Sequence, residues 1–135
     1  MDWGLFLLLY LISVPVFFVV DMVWLGVVAR SFYQRHLGYL LGPVNWLAAI
    51  GFYLIYLVGV IFFAGYPGVA ADSAWLALGL GAAFGFFTYA TYDMTNWATV
   101  RNWPARVVVV DILWGTFLGA SVAGATAYIY LQWIG

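Results

Sequence analysis

Three of the five acidic side chains, Asp21, Asp93 and Asp111, lie inside long apolar runs, whereas Asp2 and Asp72 lie outside them. A charge at the centre of a bilayer costs roughly 2.5–3.5 kcal/mol on insertion scales, so an acid there is read as functional and needs a partner. Asp21 lies nine residues before Arg30, Asp93 eight before Arg101, and Asp111 five after Arg106. At 1.5 Å per helical residue, all three sit about 7–14 Å inward of the arginine level. Three acids at one depth on three helices suggest one shared polar core. Ionised together in a low dielectric they would repel, so at least one carries a proton or a cation neutralises the group.

Helical spacing extends this core. Gly85, Tyr89, Asp93 and Asn96 fall on one face of their helix. Asn45 lies near the start of another helix at a comparable or shallower depth. Asp93 is the expected proton-accepting or cation-binding group, with Asp21 and Asp111 tuning it. Asn96 and Tyr89 would orient a ligand. A structural reading stands beside this one, in which Asp–Arg and Asp–Asn–Tyr hydrogen bonds only pin the helices. Thr88, Thr91, Thr95 and Thr99 are expected to bond carbonyls one turn back.

Other chemistries are excluded by what the chain lacks. There is no Cys, which removes disulfides, thiolate metal sites and iron–sulfur clusters. There is no Lys, which removes a Schiff base or lysine nucleophile. His36 is the single histidine and falls in a loop, so zinc and di-iron carboxylate sites lack their ligands. Asp, Asn and carbonyl oxygens would suit Mg²⁺ or Ca²⁺, but no residue is assigned to a metal and no cofactor is expected. A net charge of −1 argues against nucleic acid as a partner.

The elements that must carry these residues are membrane helices. A chain that is 67% hydrophobic and 7% charged cannot cover its apolar surface in water. Four segments reach the ~20 apolar residues a span needs: Leu5 to Val28, Val44 to Ala64, Ser73 to Val100 and Arg106 to Trp133. The fold class is therefore all-α, a four-helix transmembrane bundle forming one domain over residues 1–135. The acidic start Met1-Asp2-Trp3-Gly4 and the length of the first run read as a retained helix rather than a signal. Pro15 should kink that helix. Gly65-Tyr66-Pro67-Gly68 reads as a turn and Asn102-Trp103-Pro104 as a tight connection. Ser31–Leu41 is too short to span and reads equally as an interfacial helix or an irregular loop.

Orientation follows from charge. Arg30 and Arg35 lie between the first two helices, and Arg101 and Arg106 between the last two. The positive-inside rule puts these cytoplasmic anchors in the cytoplasm and both termini on the other side. Small residues recur at four-residue spacing in the third helix (Gly81, Gly85) and the fourth (Gly115, Gly119, Ala123, Ala127). Such ridges let backbones approach closely, within the bundle or against another subunit. Asp21-Met22 and Asp93-Met94, each followed by Trp and then Arg, hint at a parallel duplication.

Several motifs resemble a known family. Asp21-Met22-Val23-Trp24-Leu25-Gly26, Phe32-Tyr33 and Leu37-Gly38 are similar to the opening of the bacterial domain-of-unknown-function family 2177. Thr91-Tyr92-Asp93-Met94-Thr95-Asn96-Trp97-Ala98-Thr99, Trp103-Pro104 and Asp111-Ile112-Leu113-Trp114-Gly115 complete the pattern. The resemblance implies a small four-helix protein of the bacterial cytoplasmic (inner) membrane with a shared polar core, and no established reaction. Three functions are compatible with these residues. The first is binding of a lipid, ion or small solute at the Asp cluster. The second is an accessory subunit of a larger membrane complex, photosynthetic or respiratory, or a homo-oligomer, joined through the small-residue ridges. The third is a lipid-modifying enzyme using carboxylates as acid and base. Membrane lipids are partners in each.

Overall fold

A computed structural model describes residues 1–135, all in helices and short connections. The first rod is α1 (Trp3–Trp24), a π-helical turn (Leu25–Ala29) and α2 (Arg30–Leu37). The second is α3 (Trp46–Val60), a π turn (Ile61–Gly65) and α4 (Tyr66–Ala70). The third is α5 (Ala74–Thr99), and the fourth is α6 (Ala105–Ile129) with a terminal π turn (Tyr130–Ile134). All four rods are long and apolar enough to cross a membrane.

Local chemistry sets the helix ends. Asp2, Asn45 and Ser73 accept hydrogen bonds from the backbone N–H of Leu5, Ala48 and Leu76 at 3.1, 3.1 and 3.0 Å. Each satisfies one of the orphan donors of a first turn. Between α5 and α6 the chain reverses at Asn102, whose φ of 62° is left-handed, a conformation Asn tolerates better than most residues. That reversal turns Trp103 into the protein and leaves Pro104 ahead of α6.

Two expectations are corrected here. Ser31–Leu41 is neither a separate surface helix nor an irregular loop. Through Leu37 it continues the first rod, and only then does the chain turn. That rod has 35 residues, about 52 Å, against a hydrocarbon core of about 30 Å. Its polar last turns therefore project beyond the core, or the rod tilts. Gly65-Tyr66-Pro67-Gly68 is helical as well. Pro67 lacks an N–H and its ring crowds the carbonyl four residues back, and the preceding π turn opens the backbone where that conflict falls. Gly68 then lies so close to Ala77 that a methyl group would overlap it. Pro15 interrupts α1 without ending it.

α5 and α6 form the tightest pair, and the ridges explain it. A Cβ on Gly81 would strike the Gly119 carbonyl, one on Gly85 the Gly115 carbonyl, and one on Gly119 the Gly81 carbonyl. The two ridges are thus spent on each other, with Ala123 packed alongside Gly81. α6 is the central helix, burying Gly115, Leu118, Gly119, Val122, Ala123 and Ala127. The main core joins these to Leu9 and Phe17 of α1 and to Tyr56, Leu57, Val60 and Ile61 of the second rod. A smaller cluster of Leu37, Trp103, Val107 and Val108 seals the arginine end. The suggested duplication does not extend to packing, because α1 and α3 touch only sparingly while α5 and α6 are in contact throughout.

Candidate functional site

The second rod meets α5 at one end only. Ile61–Gly65 and α4 pack closely on α5, whereas α3 meets it only through side chains near its end. Phe84 closes the junction, stacked on Phe63 at 5.6 Å and seated against Gly59. Toward the arginine end the helices part around a cavity of about 570 Å³. It is lined by Ala49, Phe52, Tyr53 and Tyr56 of α3 and by Thr88, Tyr89 and Tyr92 of α5. Phe52 and Tyr92 are the exposed members of this lining. Tyr56 is 5% exposed, and its hydroxyl has no hydrogen-bond partner.

Behind this groove lie the acids. Asp21 (α1), Asp93 (α5) and Asp111 (α6) are all buried, and Asp93 is completely inaccessible. Asp21 belongs to an i, i+4 stripe with Leu9, Ser13 and Phe17, all buried. The structure pairs Asp93 with Asp111 and sets Asp21 apart. Tyr89 lies near both Asp21 and Asp111, Tyr53 near Asp21, and Tyr92 near Asp93 and Asp111. The single shared cluster expected from depth is therefore a pair and an outlier, with tyrosine rings between them and the groove.

Asp111 accepts a hydrogen bond from the Tyr33 hydroxyl of α2. Asp93 lies within hydrogen-bonding reach of Asp111 and of the buried Trp103 indole N–H. All four arginines are exposed, and none faces the three acids. The Asp–Arg pairing considered for a structural network is absent. Burying a guanidinium costs several kcal/mol even before a bond is made, and these side chains stay at the surface. With two buried carboxyls and no base, charge balance falls to a proton or to a cation.

The remaining expected residues are placed as follows. Tyr89 packs directly on Gly115, which fixes its ring between acids and groove. Asn96 is half-buried beside Tyr92, one turn beyond Asp93. Asn45 is exposed and occupied in capping α3, so it does not join the acids. Thr88, Thr91 and Thr99 donate to the carbonyls of Phe84, Phe87 and Thr95 at 2.9, 2.6 and 2.8 Å, a structural use. His36 Nδ1 lies 2.9 Å from the Phe32 carbonyl oxygen. No group of three His, Cys, Asp or Glu side chains is arranged to hold a metal ion.

Residues missing from the expected core are Tyr33, Trp103, Tyr53 and Tyr56. Tyr33 and Trp103 read as interfacial aromatics by position, yet one donates to Asp111 and the other is buried beside Asp93. The four-residue spacing of Ala29, Tyr33 and Leu37 gives them one helix face but not the direction in which that face turns. Trp24 of α1 stacks on Trp114 of α6, with centroids 4.3 Å apart and planes 8° from parallel. This pins the helices of Asp21 and Asp111 to each other. Residues 6–128 match the family described as a predicted membrane protein, domain of unknown function 2177. No curated protein matches the chain, and no solved structure does.

Proposed function

Because the chain belongs to domain-of-unknown-function family 2177, a family of predicted membrane proteins, we propose that it is a membrane binding protein for a small amphiphile. The ligand enters sideways from the bilayer through the gap between α3 and α5. Its apolar part lies against Phe52 and the tyrosine rings, and its polar end reaches the level of the acids. One observation supports this reading: the groove is walled by four tyrosines, and one of them, the buried Tyr56, has a hydroxyl with no hydrogen-bond partner. Buried polar groups are almost always hydrogen-bonded, so orphans mark a place where something else binds. By the positive-inside rule the groove would open in the cytoplasmic leaflet, and the membrane would be the inner membrane of a bacterium.

The competing readings have less support. A subunit joined through Gly115, Gly119 and Ala123 loses that surface, because α5 and α6 bury it between themselves. A lipid-modifying enzyme would have only carboxyls and tyrosines to work with.

Native mass spectrometry of protein released from its own membrane in mild detergent tests the proposal. The parent should carry one small molecule at a defined mass. Asp93→Asn should lose it, and so should Ala49→Trp, which fills the groove from α3 without touching the acids. A parent with no bound mass, or one still bound in Ala49→Trp, would overturn the reading.

A further inference from the structure

We infer that the polar end of the ligand is a positively charged ammonium held in a cage of tyrosine rings backed by three carboxyls. The inference rests on the amphiphile-binding reading and adds the chemistry of the head group. Two independent features of the groove point the same way.

The first is aromatic. Tyr53, Tyr56, Tyr89 and Tyr92 all line one cavity, with Phe52 beside them. Tyr56 and Tyr89 approach edge-to-face, with centroids 6.3 Å apart at 78°. Rings presented at such angles offer a cation several faces at once, and the negative face of an aromatic ring attracts ammonium groups. A buried, unpartnered phenol oxygen on Tyr56 adds an acceptor for an N–H.

The second is charge. Asp21 stands behind Tyr53 and Tyr89, Asp111 behind Tyr89 and Tyr92, and Asp93 behind Tyr92. No lysine exists in the chain, and no arginine faces these acids. Whatever charge these carboxyls carry is therefore negative and met by no base, and a low-dielectric wall screens it little. An anionic head group would be repelled. A neutral alcohol would satisfy Tyr56 and gain nothing from the carboxyls. A zwitterionic phospholipid would bring a phosphate into the same field with no base to meet it. An amphiphile whose only charge is an amine or a quaternary ammonium satisfies both features.

The test uses purified full-length protein in a neutral maltoside detergent, with dodecylamine, dodecyltrimethylammonium, dodecanol and dodecyl phosphate as probes. Thermal unfolding is followed by tryptophan fluorescence. The two cationic probes should raise the Tm of the parent by several degrees in a saturable way, and dodecanol and dodecyl phosphate should not. The shift should vanish in Tyr89→Leu and fall in Asp21→Asn, while Asp72→Asn at the opposite end keeps it. A larger shift with the trimethyl than with the primary head would assign the binding to the rings, and the reverse to hydrogen bonding by Tyr56. Equal shifts with dodecanol, lost in Ala49→Trp, would overturn the ammonium assignment and keep the amphiphile site. A cationic shift that persists in Tyr89→Leu, or no shift with any probe, would overturn the assignment. Absence of a co-purified mass as well would take the proposed function with it.

Discussion

Tyr33 and Tyr39 make a paired test of what a phenol contributes at the arginine end. Tyr33 donates to the buried carboxyl of Asp111. Tyr39 donates to the Asn102 carbonyl at 2.5 Å, but is exposed. Leaving a buried acceptor unsatisfied costs about 1–3 kcal/mol, and an exposed one finds water. Tyr33→Phe should therefore lower the unfolding midpoint in detergent clearly, and Tyr39→Phe little. Equal losses would mean that water or lipid already serves Asp111. Single residues also show how much of the site was legible. Asp21, Asp93 and Asp111 stand out because a charge in an apolar run is conspicuous whatever surrounds it. Trp103 does not, since an indole next to Arg101 looks the same whether it lies at the interface or turns inward. The left-handed backbone at Asn102 turns it inward.

At the scale of elements, the α5–α6 pair and the π turns matter most. Gly85 meets the Gly115 carbonyl with no room for a methyl, whereas a Cβ on Gly79 of the same helix meets nothing within 4 Å. Gly85→Ala should separate the helices and cost about 1–3 kcal/mol, the range for overpacking a filled site. Gly79→Ala should be neutral, or stabilising by up to about 1 kcal/mol, from helix propensity alone. Unfolding in mixed detergent micelles would measure both, and equal effects would argue against the ridge contact. The π turn at Leu25–Ala29 has a comparable positional effect. Eight residues of straight α-helix would carry Ala29 about 80° round from Asp21. A turn that absorbs one extra residue takes most of that back, so Ala29, Tyr33 and Leu37 continue the buried face of Asp21. Period counting on a regular helix misses this and does not bring Tyr33 to Asp111.

The whole molecule has two distinct ends. At one, the Asp2 backbone N–H donates to the Tyr66 hydroxyl at 2.8 Å. At the other, Tyr33 and Tyr39 tie α2 and the turn after it to α6 and the α5–α6 connection. The groove opens toward the second end, so the leaflet it serves depends on orientation. The chain has no cysteine, which makes single-cysteine labelling direct. Asp72→Cys should react with a membrane-impermeant thiol reagent on intact cells, and Gln34→Cys only after the membrane is opened. Both positions are exposed. The opposite pattern would invert the topology and put the groove in the outer leaflet.

The sequence by itself determined the number of spans and the membrane as solvent. These follow from composition and from a fixed rise per residue, and neither depends on what packs against what. It also located the small-residue ridges. That the two ridges meet each other is a fact of pairing. So is the separation of α3 from α5 that makes the groove, and so is the pairing of Asp93 with Asp111 apart from Asp21. Those arrangements depend on the rotation of one helix against another, which local π turns and a left-handed Asn shift by tens of degrees. Only the tertiary structure fixes that rotation, because residues far apart in the chain set it together.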